Sequence, residues 1–484
     1  MTDIMLKFDV EDIYRPESEG GDDRIGWLAE LLSEHGLRAQ FLLIGDKYRR
    51  LIRNRRSDIA RALEAHGVGT HTNSQFHPLL PERLESAGWE RGVSLVLADE
   101  RKAVEACRRF TGRDPSALSR HANLTTGAFH FEAARRLGLP YFYADIPGLS
   151  ATASLCFCNE ALLTAFGGSS LTYASVHDAV YDDEAHFAPR LEQVREFIDR
   201  AAADKIPFIN IFLGHPATMR SHSGHMITYV HGGGRDRDPK RHLFGEDAPA
   251  IFGPEHEPVL KERFRQTCRM LAERKDVNYL TADQLAGRYN KKSDYIWDRN
   301  FDRYCRLVLA ENDIPVFGEP YSPAELAANL ARLLLVRKRT GRFPQRLEPV
   351  RGVLGPLEEP TMRPDPRFID GKLFWRKVAE LDRYIKERGR LPGNLEFGGG
   401  DRVGMGSFLE GMCKAYFGLR DAGAVGRVAL SLTFPKYPSR PAAGMDEFFC
   451  RFHQDPIYRP DLSVENLARF NRLATWTLRL AYRN

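Results

Sequence analysis

The chain has 484 residues, of which 43% are hydrophobic, and its net charge is +5. This composition excludes a largely disordered chain, and the length favours two or three domains. A general polyanion binder normally carries a stronger or more clustered positive charge, so we predict no nucleic-acid partner.

Localisation signals are also absent from the sequence. No apolar run of about 20 residues occurs that could cross a bilayer, and no secretory signal is visible at the start of the chain. The seven cysteines are scattered, and their spacings match no structural zinc site. Because free thiols are typical of a reducing compartment, we expect a cytoplasmic protein without a transmembrane segment. The sequence leaves the oligomeric state open, and a homo-oligomer is one possibility.

Apolar strands alternate with amphipathic helices through residues 1–290. The strands are predicted at 4–10, 39–45, 68–71, 117–120, 141–145, 208–213 and 277–280. The helices are predicted at 22–36, 57–66, 95–110, 127–137, 189–204 and 257–274. Such alternation indicates parallel strands joined by helical crossovers, and six to eight units in about 290 residues is the size of an α/β barrel.

Polar residues recur where the predicted strands end. They are Asp9, Glu11, Asp12, His71, Arg120, Asp145 and His215. Any one of them alone would more often be a helix cap or a hydrogen-bonding loop residue. In a barrel, however, the carboxyl ends of the strands form one active-site face, so their repetition favours a functional site.

The first group of candidates combines acids with imidazoles. Asp9, Glu11 and Asp12 place three carboxylates within four residues, which is unfavourable unless they share a cation or a proton. A solvated acidic turn is the alternative.

His71 and His77 are six residues apart and cannot share one helical face, so they would meet on a loop. Two imidazoles and a carboxylate form a common site for a catalytic divalent metal.

His215 is a candidate of a second kind, because it directly follows an apolar strand. A buried, hydrogen-bonded histidine is the alternative interpretation. Asp145, at another strand end, would orient the ring and give an acid that titrates near neutral pH.

These features occur in the order found in one enzyme family. They are the acidic turn, His71-Thr with His77-Pro78, the segment at Arg120, Asp145, and Leu213-Gly-His215. Through them, residues 1–290 resemble the polysaccharide deacetylases, the NodB-homology domains of carbohydrate esterase family 4. The resemblance implies an irregular (β/α)7 barrel that uses a divalent metal to hydrolyse N- or O-acetyl groups on a carbohydrate or glycan precursor.

The resemblance also implies roles for individual residues. Asp9 would be the general base, with Arg120 orienting it, and His215 would be the general acid, supported by Asp145. The metal would be held by His71, His77 and one acid of the turn.

The choice of metal ligands departs from the family pattern in two places. Glu11 is favoured over Asp12, because relatives that read Asp-x-Asp use the second acid. The family spaces its two histidines four apart, whereas His71 and His77 are six apart. Zn²⁺ suits two imidazoles and a carboxylate, with Co²⁺, Ni²⁺ and Mn²⁺ as alternatives.

Residues 291–484 show mainly helical periodicity and predict a second, mainly helical domain. Gly-Arg-hydrophobe-Pro at Gly341 recurs at Gly389, 48 residues later (389 − 341), which predicts repeat units at about 320–365 and 372–420. The second unit resembles the pseudomurein-binding repeat, which implies a sugar-polymer partner. A helical accessory or dimerisation domain is the alternative.

The sequence therefore predicts a metal-dependent carbohydrate deacetylase. Two other functions stay open: a catalytically inactive barrel that serves as a glycan-binding scaffold, and a metal-free C–N hydrolase acting on a non-sugar amide.

Overall fold

The computed structural model describes residues 1–11, 20–74, 80–119, 127–143, 155–164, 172–176, 181, 184–216, 219, 254–316, 320–361, 367–443, 463 and 465–481. The chain divides into two compact units. Unit 1 comprises Met1–Leu155, Ala161–Arg288 and Glu447–Asn466, and unit 2 comprises Cys156–Glu160, Tyr289–Asp446 and Leu467–Asn484.

Unit 1 is built on a parallel β-sheet. The first ten strands of the chain are β1 (Thr2–Val10), β2 (Ala39–Leu43), β3 (Gly67–His71), β4 (Ala117–Ser119), β5 (Tyr141–Tyr143), β6 (Leu155–Cys158), β7 (Ala161–Thr164), β8 (Tyr173–Ser175), β9 (Phe208–Gly214) and β10 (Val277–Tyr279). Within unit 1 the order is β7-β5-β4-β3-β2-β1-β9-β8, with β10 also beside β1, and these neighbours are parallel. This curled half-barrel confirms the predicted α/β class, while the count of seven units stays a prediction.

Helices connect most of these strands. They are α1 (Gly21–Glu34), α2 (Gly45–Arg53), α3 (Ser57–Ala62), α4 (Leu80–Glu85), α5 (Trp89–Thr111), α6 (Ala128–Arg136), α7 (Glu184–Ala203), α8 (Glu257–Ala272) and α9 (Ala282–Tyr289). The sequence missed α2, because the predicted second strand was extended as far as Gly45. In the structure β2 ends at Leu43 and α2 begins at Gly45, whose N–H donates to the Thr72 carbonyl oxygen at 2.9 Å.

The two faces of β1 have different environments. Ile4, Leu6, Phe8 and Val10 are buried in the hydrophobic core of unit 1. The Phe8 ring stacks on Phe41 of β2 with centroids 4.9 Å apart and lies 5.9 Å from Phe264 of α8. Because side chains alternate along a strand, the odd-numbered residues Lys7 and Asp9 lie on the opposite face.

Unit 2 combines helices with small antiparallel strand pairs. Its helices are α10 (Asp298–Glu311), α11 (Pro323–Thr340), α12 (Gly371–Arg388) and α13 (Met405–Asp421), and α14 (Glu465–Ala474) follows. Its strands are β11 (Ile296–Trp297), β12 (Arg346–Leu347), β13 (Arg367–Asp370), β14 (Asn394–Gly398), β15 (Asp401–Gly404), β16 (Arg427–Leu430) and β17 (Leu478–Leu480). The pairs are β11–β12, β13–β16, β14–β15 and β6–β17. A hydrophobic core of its own fills this unit.

The two predicted repeat units share a helix and its cap. Gly341 caps the C-terminus of α11, and Gly389 caps the C-terminus of α12. Both glycines have positive φ, 76° and 65° respectively. The second unit continues through β14 and β15 into α13, whereas the described residues from 346 to 361 contain no helix. A repeat relationship between the two segments stays a prediction.

Two further observations bear on the sequence predictions. None of the helices in the described parts of the chain has the length and apolarity needed to cross a lipid bilayer. The six described cysteines are buried and form no disulfide with one another, and Cys450 lies outside the described residues.

Candidate functional site

Four of the predicted site residues come together at the carboxyl ends of strands in unit 1. Asp9 and Glu11 lie at the end of β1, His71 is the last residue of β3, and His215 follows β9. These strands lie close in the sheet, where β2 separates β1 from β3 and β9 pairs directly with β1. The other four predicted residues, Asp12, His77, Arg120 and Asp145, lie outside the described residues.

The alternation of β1 explains why its two acids are separated by one residue. Asp9 and Glu11 lie on the same side of the chain, while Val10 between them is buried in the hydrophobic core. An adjacent pair of acids in this strand would send one carboxylate into that core. The interrupted acidic motif therefore suits this strand register.

An unusual backbone conformation follows His71. Thr72 has φ of 68°, in the left-handed region that β-branched residues rarely adopt. Its N–H donates to Ser119 O at 3.1 Å, its carbonyl accepts from Gly45 N at 2.9 Å, and its hydroxyl donates to Ser74 O at 3.0 Å. These three hydrogen bonds hold the turn that ends β3 beside the site.

A bulge precedes His215. The register between β1 and β9 shifts after Lys7, which pairs with Phe212, so that Phe8 pairs with Gly214. Gly214 has φ of 121°, which only glycine adopts readily. Such a bulge redirects the following side chain, which here is His215.

The Glu11 carboxylate lies between the two imidazoles. Its Oε1 atom is 3.2 Å from His215 Nε2, and its Oε2 atom is 3.6 Å from His71 Nε2. Asp9 Oδ2 is 3.9 Å from the same His71 nitrogen. The side chains of Asp9, Glu11 and His71 are 2–4% exposed, whereas His215 is 14% exposed. His215 is therefore the member of the group that is most open to solvent.

A buried lysine, which the sequence interpretation missed, completes the group. The Lys7 Nζ atom is 3.0 Å from Asp9 Oδ2 and 3.9 Å from the centre of the Tyr143 ring. Burial lowers the pKa of Lys7, and the neighbouring Asp9 and Glu11 carboxylates act in the opposite direction. The sequence feature that could have identified Lys7 is its position as the single charged residue in the otherwise apolar stretch Ile4–Phe8.

The ring beneath Lys7 is itself fixed. The Tyr143 hydroxyl donates to Asn210 Oδ1 at 2.8 Å, and burial raises the pKa of Tyr143 well above its ordinary value. Tyr143 is therefore a neutral hydrogen-bond donor whose ring face supports the Lys7 ammonium.

The segment after His215 is anchored by Arg24 of α1. The buried Arg24 guanidinium donates from Nη1 to Pro216 O at 3.4 Å and from Nε to Glu257 Oε2 at 3.2 Å. The Trp27 indole donates to the other oxygen of Glu257 at 2.9 Å. This chain of contacts fixes the backbone immediately beyond His215.

The donor chemistry fits a divalent metal, although the described residues alone do not complete a site. The described part of the chain contains no group of three or more His, Cys, Asp or Glu side chains arranged to hold an ion. Glu11 and His71 provide one carboxylate and one imidazole, which suit such a metal. Asp9 Oδ1 is buried and accepts no hydrogen bond from the described residues. The predicted third ligand, His77, lies outside them, as does Asp12, the alternative to Glu11.

No protein-family model matches the chain, and no curated protein sequence matches it.

Solved structures similar to this chain include polysaccharide deacetylases of carbohydrate esterase family 4. A candidate polysaccharide deacetylase from Mycobacterium smegmatis aligns over 59% of this chain and 89% of its own, with 13% identity and a TM-score of 0.37. The family 4 carbohydrate esterase from Streptomyces lividans, in complex with acetate, aligns over 57% and 91%, with 12% identity and a TM-score of 0.28. A CE4 family pseudoenzyme from Bacillus anthracis aligns over 45% and 57%, with 13% identity and a TM-score of 0.26. At these low TM-scores, the proposed function rests on the residues of the site.

Proposed function

We propose that this chain is a metal-dependent hydrolase that removes N- or O-acetyl groups from a carbohydrate or a glycan precursor. The observation that carries the proposal is the convergence of Asp9, Glu11, His71 and His215 at one end of the parallel sheet. If these residues had only structural roles, there would be no reason for all four to meet at the ends of three separate strands.

Asp9 is suited to the role of general base. Its carboxylate is buried, and its Oδ2 atom is held 3.0 Å from the Lys7 ammonium nitrogen. Its Oδ1 atom accepts no hydrogen bond from the described residues and is available to take a proton from water. The water oxygen then attacks the carbon of the acetyl carbonyl group.

His215 is suited to the role of general acid. It is the most exposed of the four side chains, so a bound substrate can reach its ring. Donation of its proton to the leaving amine or alcohol accompanies cleavage of the C–N or C–O bond and releases acetate. In the proposal, Asp145 supports His215 and Arg120 orients Asp9.

A divalent metal would be held by His71, His77 and one acid of the turn, which is Glu11 or, as the alternative, Asp12. When bound, such a metal polarises the acetyl carbonyl and lowers the pKa of a water molecule. Zn²⁺ is proposed from the ligand types, with Co²⁺, Ni²⁺ and Mn²⁺ as alternatives.

The position of Lys7 supports a second candidate function. Its ammonium already places a positive charge beside Asp9, so a metal-free C–N hydrolase that acts on a non-sugar amide is retained. The inactive, glycan-binding scaffold is distinguished from both by the assay below.

For the remainder of the chain, we propose that residues 1–290 form the catalytic domain and residues 291–484 an accessory domain. In this proposal the two repeat-like segments contact a sugar polymer. We also propose a reducing, cytoplasmic location, because the described cysteines form no disulfide with one another.

The test measures acetate release from N-acetylated and O-acetylated oligosaccharides, with metal content determined on the same preparation. We expect activity that a chelator removes and a divalent metal restores, and that Asp9→Asn and Glu11→Gln abolish. His35→Ala is the matched control, because His35 ends α1 and donates only locally, to Leu31 O at 2.9 Å. Activity that persists without metal would select the metal-free hydrolase, and absence of turnover with every metal would select the scaffold.

A further inference from the structure

Unit 2 contains a cleft that the proposed hydrolase does not use. This cleft, named here the Trp297 cleft, has a volume of about 540 Å³ and lies where β11 meets the start of α10. Its lining includes Lys291, Tyr295, Trp297, Arg299, Arg303 and Tyr321. Sites for small ligands are typically concave and fall in a range of about 300–1,000 Å³.

Two aromatic side chains are exposed beside each other in the cleft. Tyr295 is 37% exposed and Trp297 is 41% exposed. They are two of the six large hydrophobic side chains most exposed in the described part of the chain. Since water contact with aromatic surface is unfavourable, neighbouring exposed rings indicate a surface that a ligand covers.

The main chain that carries the two rings is held in place before any ligand binds. The buried Tyr321 hydroxyl donates to Tyr295 O at 3.1 Å, and the Arg346 guanidinium lies 4.3 Å from the centre of the Tyr295 ring. The Trp297 backbone N–H donates to Asn300 Oδ1 at 3.1 Å, and Trp297 pairs with Arg346 across β11 and β12. A main chain that is already ordered reduces the conformational entropy lost when a ligand binds.

The charge of the cleft is positive. Lys291, Arg299 and Arg303 line it, and the described lining contains no Asp or Glu. Within the described residues, Lys291 and Arg299 form no ion pair. Asp298, next to the cleft, is instead engaged by the Tyr416 hydroxyl at 2.8 Å and by Arg420 at 3.0 Å.

We propose that the Trp297 cleft binds an anionic saccharide. The apolar face of a sugar ring would pack on Trp297 and Tyr295. A carboxylate, sulfate or phosphate on the same sugar would contact Arg299, Arg303 and Lys291, since guanidinium groups bind such anions through paired hydrogen bonds.

Single-stranded nucleic acid also combines flat rings with negative charge, but the observations favour the saccharide. Nucleic-acid sites follow the phosphate backbone along an extended basic groove, whereas these cations lie within one cleft. The net charge of the whole chain is only +5, which is low for a binder of long polyanions.

The experiment is a binding titration by calorimetry on the full chain, with a short oligogalacturonate as the probe. The comparison ligands are a neutral chito-oligosaccharide, an oligothymidylate and inorganic phosphate. We expect Trp297→Ala, and separately Arg299→Gln combined with Arg303→Gln, to weaken binding of oligogalacturonate by about tenfold each. The neutral oligosaccharide should bind more weakly than the acidic one, and added salt should weaken the acidic one.

Matched controls come from the same unit. Phe368→Ala removes another exposed ring, 53% exposed, and Arg339→Gln removes an exposed cation at the end of α11; both should leave binding unchanged. The inference is overturned if oligogalacturonate does not bind, if it binds the variants as tightly as the parent chain, or if phosphate alone competes equally well. Tighter binding of oligothymidylate with the same variant effects would assign the cleft to nucleic acid instead. Because the readout is binding and not turnover, failure of the proposed hydrolase would leave this result unaffected.

Discussion

The ammonium nitrogen of Lys7 lies 3.0 Å from Oδ2 of Asp9, and both side chains are buried on the same face of β1. The Tyr143 ring covers the lysine at 3.9 Å, and the Phe212 ring centre is 5.5 Å away. If either partner of this buried ion pair were removed, the other would remain as an uncompensated buried charge, which is strongly destabilising. Lys7 thus links the stability of the sheet to the position of the proposed base.

Replacing the lysine should therefore affect both stability and activity. We expect Lys7→Met to lower the free energy of unfolding by about 3–5 kcal/mol, the cost of breaking a buried ion pair. Acetate release should fall as well, because the Asp9 carboxylate would lose the partner that holds it 3.0 Å away. Denaturant unfolding and turnover measure the two effects.

The double variant Lys7→Met with Asp9→Asn is the control for this prediction. It removes both charges, so most of the lost stability should return while activity stays absent. If the double variant is as unstable as the single one, the ion pair is not the cause of the loss.

His215 should matter most for substrates with poor leaving groups. We expect His215→Asn to lower kcat/KM for an acetamide by about 10²–10⁴-fold, the range of general acid catalysis. The loss should be much smaller with a nitrophenyl acetate, whose leaving group needs no proton. Equal losses for both substrates would contradict an acid role and indicate that His215 acts in binding.

Acid should destabilise the protein through His66. This buried residue donates from Nε2 to Ala29 O at 2.9 Å and accepts from Ala39 N at its Nδ1 atom at 3.2 Å. Burial lowers its pKa to about 4 from the ordinary 6.5. Between these two values the unfolded state binds the proton and the folded state does not, so the free energy of unfolding falls as the pH falls.

The size of this effect should be about 3 kcal/mol between pH 6.5 and pH 4. His66→Asn retains an acceptor for the Ala39 N–H but cannot titrate. We expect this variant to be less stable at pH 7, with a flatter dependence of stability on pH over the same interval. An unchanged slope would show that other groups cause the acid sensitivity.

Gly45 should resist substitution because of its neighbours. A Cβ atom at this position would lie 2.6 Å from Asn73 Oδ1 and 2.7 Å from Asn73 O, closer than atoms can approach. We expect Gly45→Ala to destabilise unit 1 by about 1–3 kcal/mol and to disturb the turn after His71, lowering activity. Gly287→Ala in α9, where a Cβ would meet nothing within 4 Å, is the matched control and should be neutral or stabilising.

Much of unit 1 could be predicted from the sequence because its strands are apolar and its helices amphipathic. The predicted strand 4–10 is observed as Thr2–Val10, and the predicted helix 22–36 as Gly21–Glu34. The strands β6, β7 and β8 were missed. Only two residues separate β6 from β7, so this pair does not follow the alternation of strands and helices from which the other strands were predicted.

The candidate site was predicted in part for a similar reason. Acids and histidines at strand ends can be read from the sequence, and Asp9, Glu11, His71 and His215 do meet. Lys7 could not be assigned, because its role depends on Tyr143 and Asp9 lying on either side of it in space. The direct contact of His215 with Glu11 was not predicted, since the sequence analysis paired His215 with Asp145 and the contact follows the β9 bulge at Gly214.

The register of β1 has a consequence for how this protein can change. One strand supplies apolar side chains to the core from its even positions and the charged side chains from its odd positions. A single inserted or deleted residue within Thr2–Val10 would exchange the two sets, placing carboxylates among aromatic rings and valine in the site. A substitution in this strand alters one side chain, whereas a change of length would remove folding and chemistry together.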